Sequence, residues 1–280
     1  MQPQPPCGRP GILFFLWLNL ATEPHVIIVM KKILIMGATS GIGLHAAIAF
    51  AEKGYMVGAA GRNTAQLALL SNRFPRNVVT RRIDVDDADA PMQLHNLVEE
   101  MEGMDIYFHV AGIGFENAAL HELEETEVVE TNAVGFARMV CAAFRWFRDH
   151  NEGRGQIAAI TSVAGANGIG AISAYSASKA FDQYYLRALD QIARMSRMRL
   201  RFTDIRPGWV RTPLLAADET YPMCMTLDYA VPRIVRAIEH RRRVAVIDWR
   251  WNLVVGLMRL VPNWLWVRLP IKISRLNRRK

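Results

Sequence analysis

With 280 residues, 51% hydrophobic and 21% charged, the chain has the make-up of a folded globular protein, which excludes the disordered and fibrous classes. The length suits one large domain, and no linker-like stretch, fixed-period repeat or low-complexity tract divides it. The formal net charge of +8 gathers at the C-terminus, where Arg250, Arg259, Arg268, Lys272, Arg275, Arg278, Arg279 and Lys280 stand against the single acid Asp248.

In chain order, residues 11–21 are apolar and aromatic behind a proline-rich flank with Arg9 as its cation. That run is too short to span a bilayer and lacks the basic flank of a secretory signal, so residues 1–29 are expected to be an extension outside the fold. Residues 32–36 read as a first strand ending in a glycine-rich turn, followed by a helix over 42–52 that Gly54 stops. A second strand is expected over 55–60 and a helix over 64–72. Third and fourth strands follow over 78–83 and 105–110, with a helix over 92–101 between them. A long helix over 132–149, a fifth strand over 156–161, a helix over 174–196 and a sixth strand over 200–205 come next. A helix over 231–239 and a last strand over 244–247 close the series.

Strand and helix alternate throughout. The alternation predicts an α/β fold of three layers, doubly wound, with a parallel sheet of about seven strands covered on both faces. Residues 30–248 would form this catalytic domain, and 249–280 a basic, Trp-rich C-terminal extension. In such sheets ligands bind beyond the carboxyl ends of the strands. The unusual residues lie there.

Gly37-Ala38-Thr39-Ser40-Gly41-Ile42-Gly43 joins the first strand to the first helix. Glycines let the backbone turn tightly and approach a pyrophosphate, whose charge a helix N-terminus favours. The second strand ends in Gly61-Arg62-Asn63, where an NAD-binding unit would place an acid for the ribose 2′-hydroxyl. Arg62 offers instead a fork suited to a 2′-phosphate, so NADP(H) is expected over NAD(H). Asp84-Val85, after the third strand, could bond the adenine amino group or cap a helix. Tyr175-Ser176-Ala177-Ser178-Lys179 places Tyr175 and Lys179 at i and i+4 on one helix face. An ammonium beside a phenol favours the phenolate and brings the pair toward acid–base work at neutral pH. Ser162, at the end of the fifth strand, adds a hydroxyl able to hold a carbonyl oxygen. Cys7, Cys141 and Cys224 show neither metal-ligand spacing nor a disulfide framework; no metal site is expected, and the setting reads as reducing and cytoplasmic.

Over residues 31–247 the chain resembles the short-chain dehydrogenase/reductase family, whose fold is of the Rossmann type. Gly37, Gly41 and Gly43 match the family's glycine loop, with Met36 in place of its threonine. Tyr175 and Lys179 match its Tyr-x-x-x-Lys motif and Ser162 the upstream serine. Asn132 matches its helix asparagine, and Pro207-Gly208, followed by Val210 and Thr212, its Pro-Gly segment. The family's Asn-Asn-Ala-Gly is replaced by His109-Val110-Ala111-Gly112. Ala111 and Gly112 keep the cofactor approach open, while His109 reads as a packed or capping histidine before a catalytic one.

The resemblance implies an oxidoreductase acting on CH–OH groups, a carbonyl reductase or alcohol dehydrogenase in which the nicotinamide supplies the hydride. Tyr175 would be the general acid or base and Ser162 would orient the substrate oxygen. Lys179 would tune Tyr175 and bond the nicotinamide ribose, with Asn132 holding a water that links Lys179 to solvent. Val210 and Thr212 would fix the carboxamide end of the cofactor. Ala166, Ile169, Ile172, Leu214, Leu215, Met223 and Met225 suggest an apolar carbonyl or alcohol. Relatives pair through helices matching 132–149 and 174–196, which implies a homodimer or homotetramer. A catalytically idle NADP-binding sensor or scaffold is the rival reading, and an epimerase or dehydratase of the same fold a second one. Trp249, Trp251, Trp264 and Trp266 with the basic residues point to a tail that either packs over the pocket or a subunit interface, or lies in a membrane interface. No nucleic-acid-binding motif is present.

Overall fold

The computed structural model describes residues 30–215 and 220–271; the N-terminal stretch 1–29 and the residues after 271 lie outside the described residues. Seven strands form one sheet: β1 Lys32–Met36, β2 Met56–Gly61, β3 Val78–Arg82, β4 Ile106–His109, β5 Arg154–Ile160, β6 Arg199–Pro207 and β7 Val244–Ile247. Their order is β3-β2-β1-β4-β5-β6-β7 and every pairing is parallel. The order reverses direction between β1 and β4. That switch point opens a crevice at the carboxyl ends, where open α/β sheets hold their ligands.

Helices α1 Gly41–Glu52, α2 Thr64–Arg73, α3 Ala90–Glu100, α4 Glu122–Val129, α5 Phe136–His150, α6 Ser173–Met195 and α7 Leu227–Glu239 cover the sheet. The strands read as continuous apolar runs because both faces are buried: Ile33 and Ile35 enter one core cluster, Leu34 and Met36 the other. This is the doubly wound three-layer fold that the alternation predicts. Two short helices complete the described chain, α8 Trp249–Leu260 and α9 Asn263–Trp266.

Element ends differ from the sequence reading where local periodicity is weak. Helix α4 was not expected, because ELEETEVV has no apolar stripe. Its acids Glu122, Glu124 and Glu125 crowd the first turn, where the helix dipole favours them. The backbone then passes without a break through a π turn, Glu130–Gly135, into α5. Helix α7 starts earlier than expected despite Pro232, since Thr226 accepts the Tyr229 amide and fixes the first turn.

Candidate active site

The first turn depends on two glycines. Gly37 sits at φ +94°, a region that L side chains avoid, and a Cβ there would meet Ala111 N at 2.6 Å. A Cβ at Gly43 would overlap the Gly37 carbonyl oxygen. Without side chains, α1 closes onto the loop, while the Gly37 and Ala38 amides both donate to Ala60 O at 2.8 Å. Met36, where the family carries threonine, is fully buried in the core, and its carbonyl accepts from Val110 and Ala111. The turn is therefore held by backbone. No side chain caps α1, and no acid lies in its first turn. Its N-terminal amides face a cavity of about 780 Å³ lined by Thr39, Ser40, Gly41 and Ile42.

Arg62 and Asp84 line the same cavity, the guanidinium 4.0 Å from the carboxylate and largely exposed. Asp84 also accepts the Asp86 amide at 3.3 Å, so it serves the turn as well as the cavity. Val85, Ala111, Gly112, Pro207, Gly208, Val210 and Thr212 belong to the lining too. Asn63 does not: its side chain caps α2 by accepting the Gln66 amide at 3.0 Å. Gly43 acts behind the lining, through its contact with Gly37. These features fit a dinucleotide: a glycine turn with no room for a Cβ, uncapped helix amides for phosphate and, at the end of β2, a largely exposed arginine whose nearest carboxylate, Asp84, is 4.0 Å away.

Tyr175, Lys179 and Ser162 meet in this cavity. Helix α6 carries the first two on one face, with Lys179 Nζ 5.9 Å from the centre of the Tyr175 ring. The ring lies over Gly114, where a Cβ would come within 2.7 Å of it. Ser162 caps a short 3₁₀ turn, its Oγ accepting from Ala164 N at 3.1 Å, and its carbonyl accepts from Gln183 at 2.7 Å.

Lys179 is buried and donates to Asp182 Oδ2 at 2.9 Å and to Ile160 O at 3.3 Å. Burial works against its ammonium, but the Asp182 carboxylate, with Tyr175 and Asp204, more than offsets this and raises its pKa. Burial pushes Asp182 up to about 6 against the pull of Lys179. Asp182 Oδ1 has no hydrogen-bond partner among the described residues. Sequence reasoning missed this residue, although its spacing of three from Lys179 and seven from Tyr175 puts it on the motif's own face.

Asn132 lies in the π turn, buried, and does not line the cavity. It accepts from Ile113 N at 2.8 Å and donates to Ile113 O at 2.7 Å and Ser178 Oγ at 3.2 Å. Its amide thus ties the loop after β4 to α6. His109 is a packed residue: it lies outside the cavity lining, edge-on to Phe136 and 2.8 Å from Tyr107 Oη. Burial first, and the Lys179 charge second, lower its pKa to about 3, so it stays neutral at physiological pH.

The remaining lining is mostly apolar. Ile169, Ile172, Leu214 and Leu215 belong to it as expected, whereas Ala166 and Met223 pack against Trp251 behind it and Met225 joins the main core. Trp209, Val254 and Met258 were not foreseen as lining, whereas Trp251 and Trp266 belong to the tail for which packing over the pocket was one expectation. Of the two readings of the C-terminal segment, the structure supports packing over the pocket: the Trp251 indole sits on Gly208, and Trp266 Nε1 donates to Gly168 O at 2.7 Å.

A glycine-cradled nucleotide crevice joined to a tyrosine–lysine–serine cluster defines a dinucleotide-dependent oxidoreductase of the Rossmann type. The family model for short chain dehydrogenases matches residues 31–221, and the chain belongs to that family. An uncharacterized oxidoreductase of Myxococcus xanthus is 31% identical over 242 residues, covering 83% of this chain and 93% of the relative. An NADP-dependent 3-hydroxy acid dehydrogenase of Salmonella typhi is 31% identical over 182 residues, 64% of this chain and 72% of that protein. Among solved structures, a short chain dehydrogenase of Burkholderia cenocepacia in complex with NADP shares the fold with a TM-score of 0.73. Its identity is 19%, with 87% of this chain and 98% of that one covered. The chain is accordingly an NAD(P)-dependent oxidoreductase. Among the described residues there is no metal-binding cluster, and no helix is long and apolar enough to cross a membrane.

Proposed function

We propose that the chain is an NADP(H)-dependent carbonyl reductase or alcohol dehydrogenase acting on an apolar carbonyl or alcohol, with residues 30–248 as its catalytic domain. The observation that carries this is the meeting of Tyr175, Lys179 and Ser162 with the glycine turn in one largely apolar cavity. When bound, the nicotinamide supplies or accepts the hydride. In reduction, Tyr175 gives its phenolic proton to the carbonyl oxygen, and Ser162 donates a hydrogen bond that fixes this oxygen. Lys179, kept charged beside Asp182, stabilises the phenolate left behind. Asn132, its side chain engaged by Ile113 and Ser178, braces α6 behind the cavity and is the residue we assign to the water that links Lys179 to solvent.

Preference for NADP(H) is supported by Arg62 at the cavity and by the absence of an acid at the end of β2. The name of the Salmonella relative and the NADP and NADPH complexes among the structural neighbours agree with it. Assembly as a homo-oligomer is supported by Phe181, Tyr184, Ile192 and Met195, which form an exposed apolar stripe along α6. The three widely separated cysteines support a reducing, cytoplasmic setting.

Titration with NADPH and NADH tests the reading. Wild type should favour NADPH, and Arg62→Ala should erase most of that preference. Tyr175→Phe should bind NADPH within a few-fold of wild type yet lose about 10²–10⁴-fold in turnover of apolar ketones. If the chain binds neither cofactor, it is no oxidoreductase; tight binding without turnover on any carbonyl would favour the idle sensor.

A further inference from the structure

The C-terminal arm has two apolar faces, and only one of them is used by the cavity. Inward, Trp251, Val254 and Met258 of α8 form part of the lining. Outward, Trp249, Leu253, Leu257 and Leu260 are 68%, 60%, 65% and 79% exposed. They fall at i, i+4, i+8 and i+11, a single stripe along one helix. Trp264 and Val267, 64% and 77% exposed, extend the apolar surface past the turn at Pro262. An apolar surface of this extent marks an interaction site.

The charges around it say what kind. From 249 to 271 the ionisable residues are Arg250, Arg259 and Arg268; Arg250 is paired with Asp248, and Arg259 and Arg268 have no acid within the arm. The sequence beyond adds Lys272, Arg275, Arg278, Arg279 and Lys280, outside the described residues. A second copy of this face, brought up by a two-fold axis, would oppose arginine to arginine. Self-association also has another surface on α6. Anionic lipid complements the arm: acyl chains meet the leucines, headgroup phosphates meet the arginines, and tryptophan favours the boundary between them.

We propose that the outer face of α8 and α9 docks on an anionic lipid surface, and that the cavity takes its apolar substrate from that lipid phase. One helix would then be both the membrane contact and the cavity wall, so a lipid-dissolved carbonyl or alcohol reaches the site without crossing bulk water. The docking stands by itself. The substrate half rests on the oxidoreductase reading above.

The test is sedimentation of the full chain with vesicles of phosphatidylglycerol and phosphatidylcholine against vesicles of phosphatidylcholine alone. Wild type should bind the anionic vesicles at least tenfold more, and salt should weaken the binding. The double variant Leu253→Glu/Leu257→Glu, whose side chains lie outside the cavity lining, should lose binding while keeping its NADPH affinity. The single variant Arg259→Gln gives a milder check, a several-fold loss on anionic vesicles. A long-chain ketone embedded in vesicles should be reduced at least tenfold more slowly by the double variant, with a short water-soluble ketone unaffected.

Equal sedimentation with both vesicle types, or with neither, overturns the docking. In that case a complex of two copies broken by the double variant assigns the face to a second copy. Docking with equal use of both ketones overturns the substrate half. Docking without NADPH binding removes the oxidoreductase reading and leaves the docking in place.

Discussion

His109 and Asp182 flank Lys179 in its electrostatics and pull stability in opposite directions with pH. His109 has a pKa of about 3 when folded, against an ordinary 6.5. As pH falls below 6.5, the unfolded chain takes up a proton that the folded chain refuses, and stability declines by up to ~1.4 kcal/mol per pH unit. Asp182, raised from 3.8 to about 6, binds a proton more readily when folded, so its contribution grows as pH falls from 6 toward 4. Replacing His109 by asparagine removes only the first effect. His109→Asn should therefore lose about 1–2 kcal/mol less than wild type between pH 6.5 and 5. Denaturant midpoints at the two pH values measure this, and parallel losses in both proteins would show that His109 does not titrate as its burial implies.

At the scale of elements, the β1–α1 junction has the least room for change. Gly43→Ala should push α1 away from the Gly37 carbonyl, costing ~1–3 kcal/mol as an overpacked contact. NADPH affinity should fall at least tenfold, because the amides at the start of α1 move with the helix; thermal unfolding and cofactor titration read the two effects separately. Unchanged affinity in a stably folded variant would detach the turn from cofactor binding. The strands were legible because burial on both faces leaves unbroken apolar runs, as in Ile33-Leu34-Ile35-Met36. Helix α4 was not, since its residues answer to the helix dipole rather than to a core. Likewise Tyr175, Lys179 and Ser162 stand out by chemical type and spacing, whereas Asp182 shares the helix face of Tyr175 and Lys179 by spacing but shows its weight once its full burial is seen. Asn63 resembled a cofactor ligand in sequence, but its place before α2 makes it a cap.

For the whole molecule, exposed apolar side chains such as Leu69, Met92 and Leu123 lie elsewhere too among the described residues, but two sets line up along a helix, the α6 stripe and the C-terminal arm. If the first is the subunit contact, Tyr184→Arg should shift the protein to a smaller species in light scattering, with NADPH affinity unchanged. An unaltered mass would place the contact elsewhere. The doubly wound architecture was readable from the alternation of strands and helices over most of the chain. The arm was readable only as a choice, since tryptophan and leucine suit a pocket wall and a lipid boundary equally. Its contacts with Gly208 and Gly168 decide the inner face.

The arm leaves the sheet through one unusual residue. Asp248 follows β7 with φ +74°, is buried, caps the first turn of α8 by accepting the Arg250 amide at 3.0 Å, and pairs with the Arg250 side chain. Trp251, Val254 and Met258 of α8 reach the cavity from an element separate from α6, which carries Tyr175 and Lys179, and from the glycine turn after β1. A protein engineer could therefore treat Asp248 as a splice point: exchanging the segment beyond it would redraw the part of the pocket built by Trp251, Val254 and Met258 and leave the reacting groups in place. The reacting groups all precede Asp248, whereas one wall of the pocket follows it.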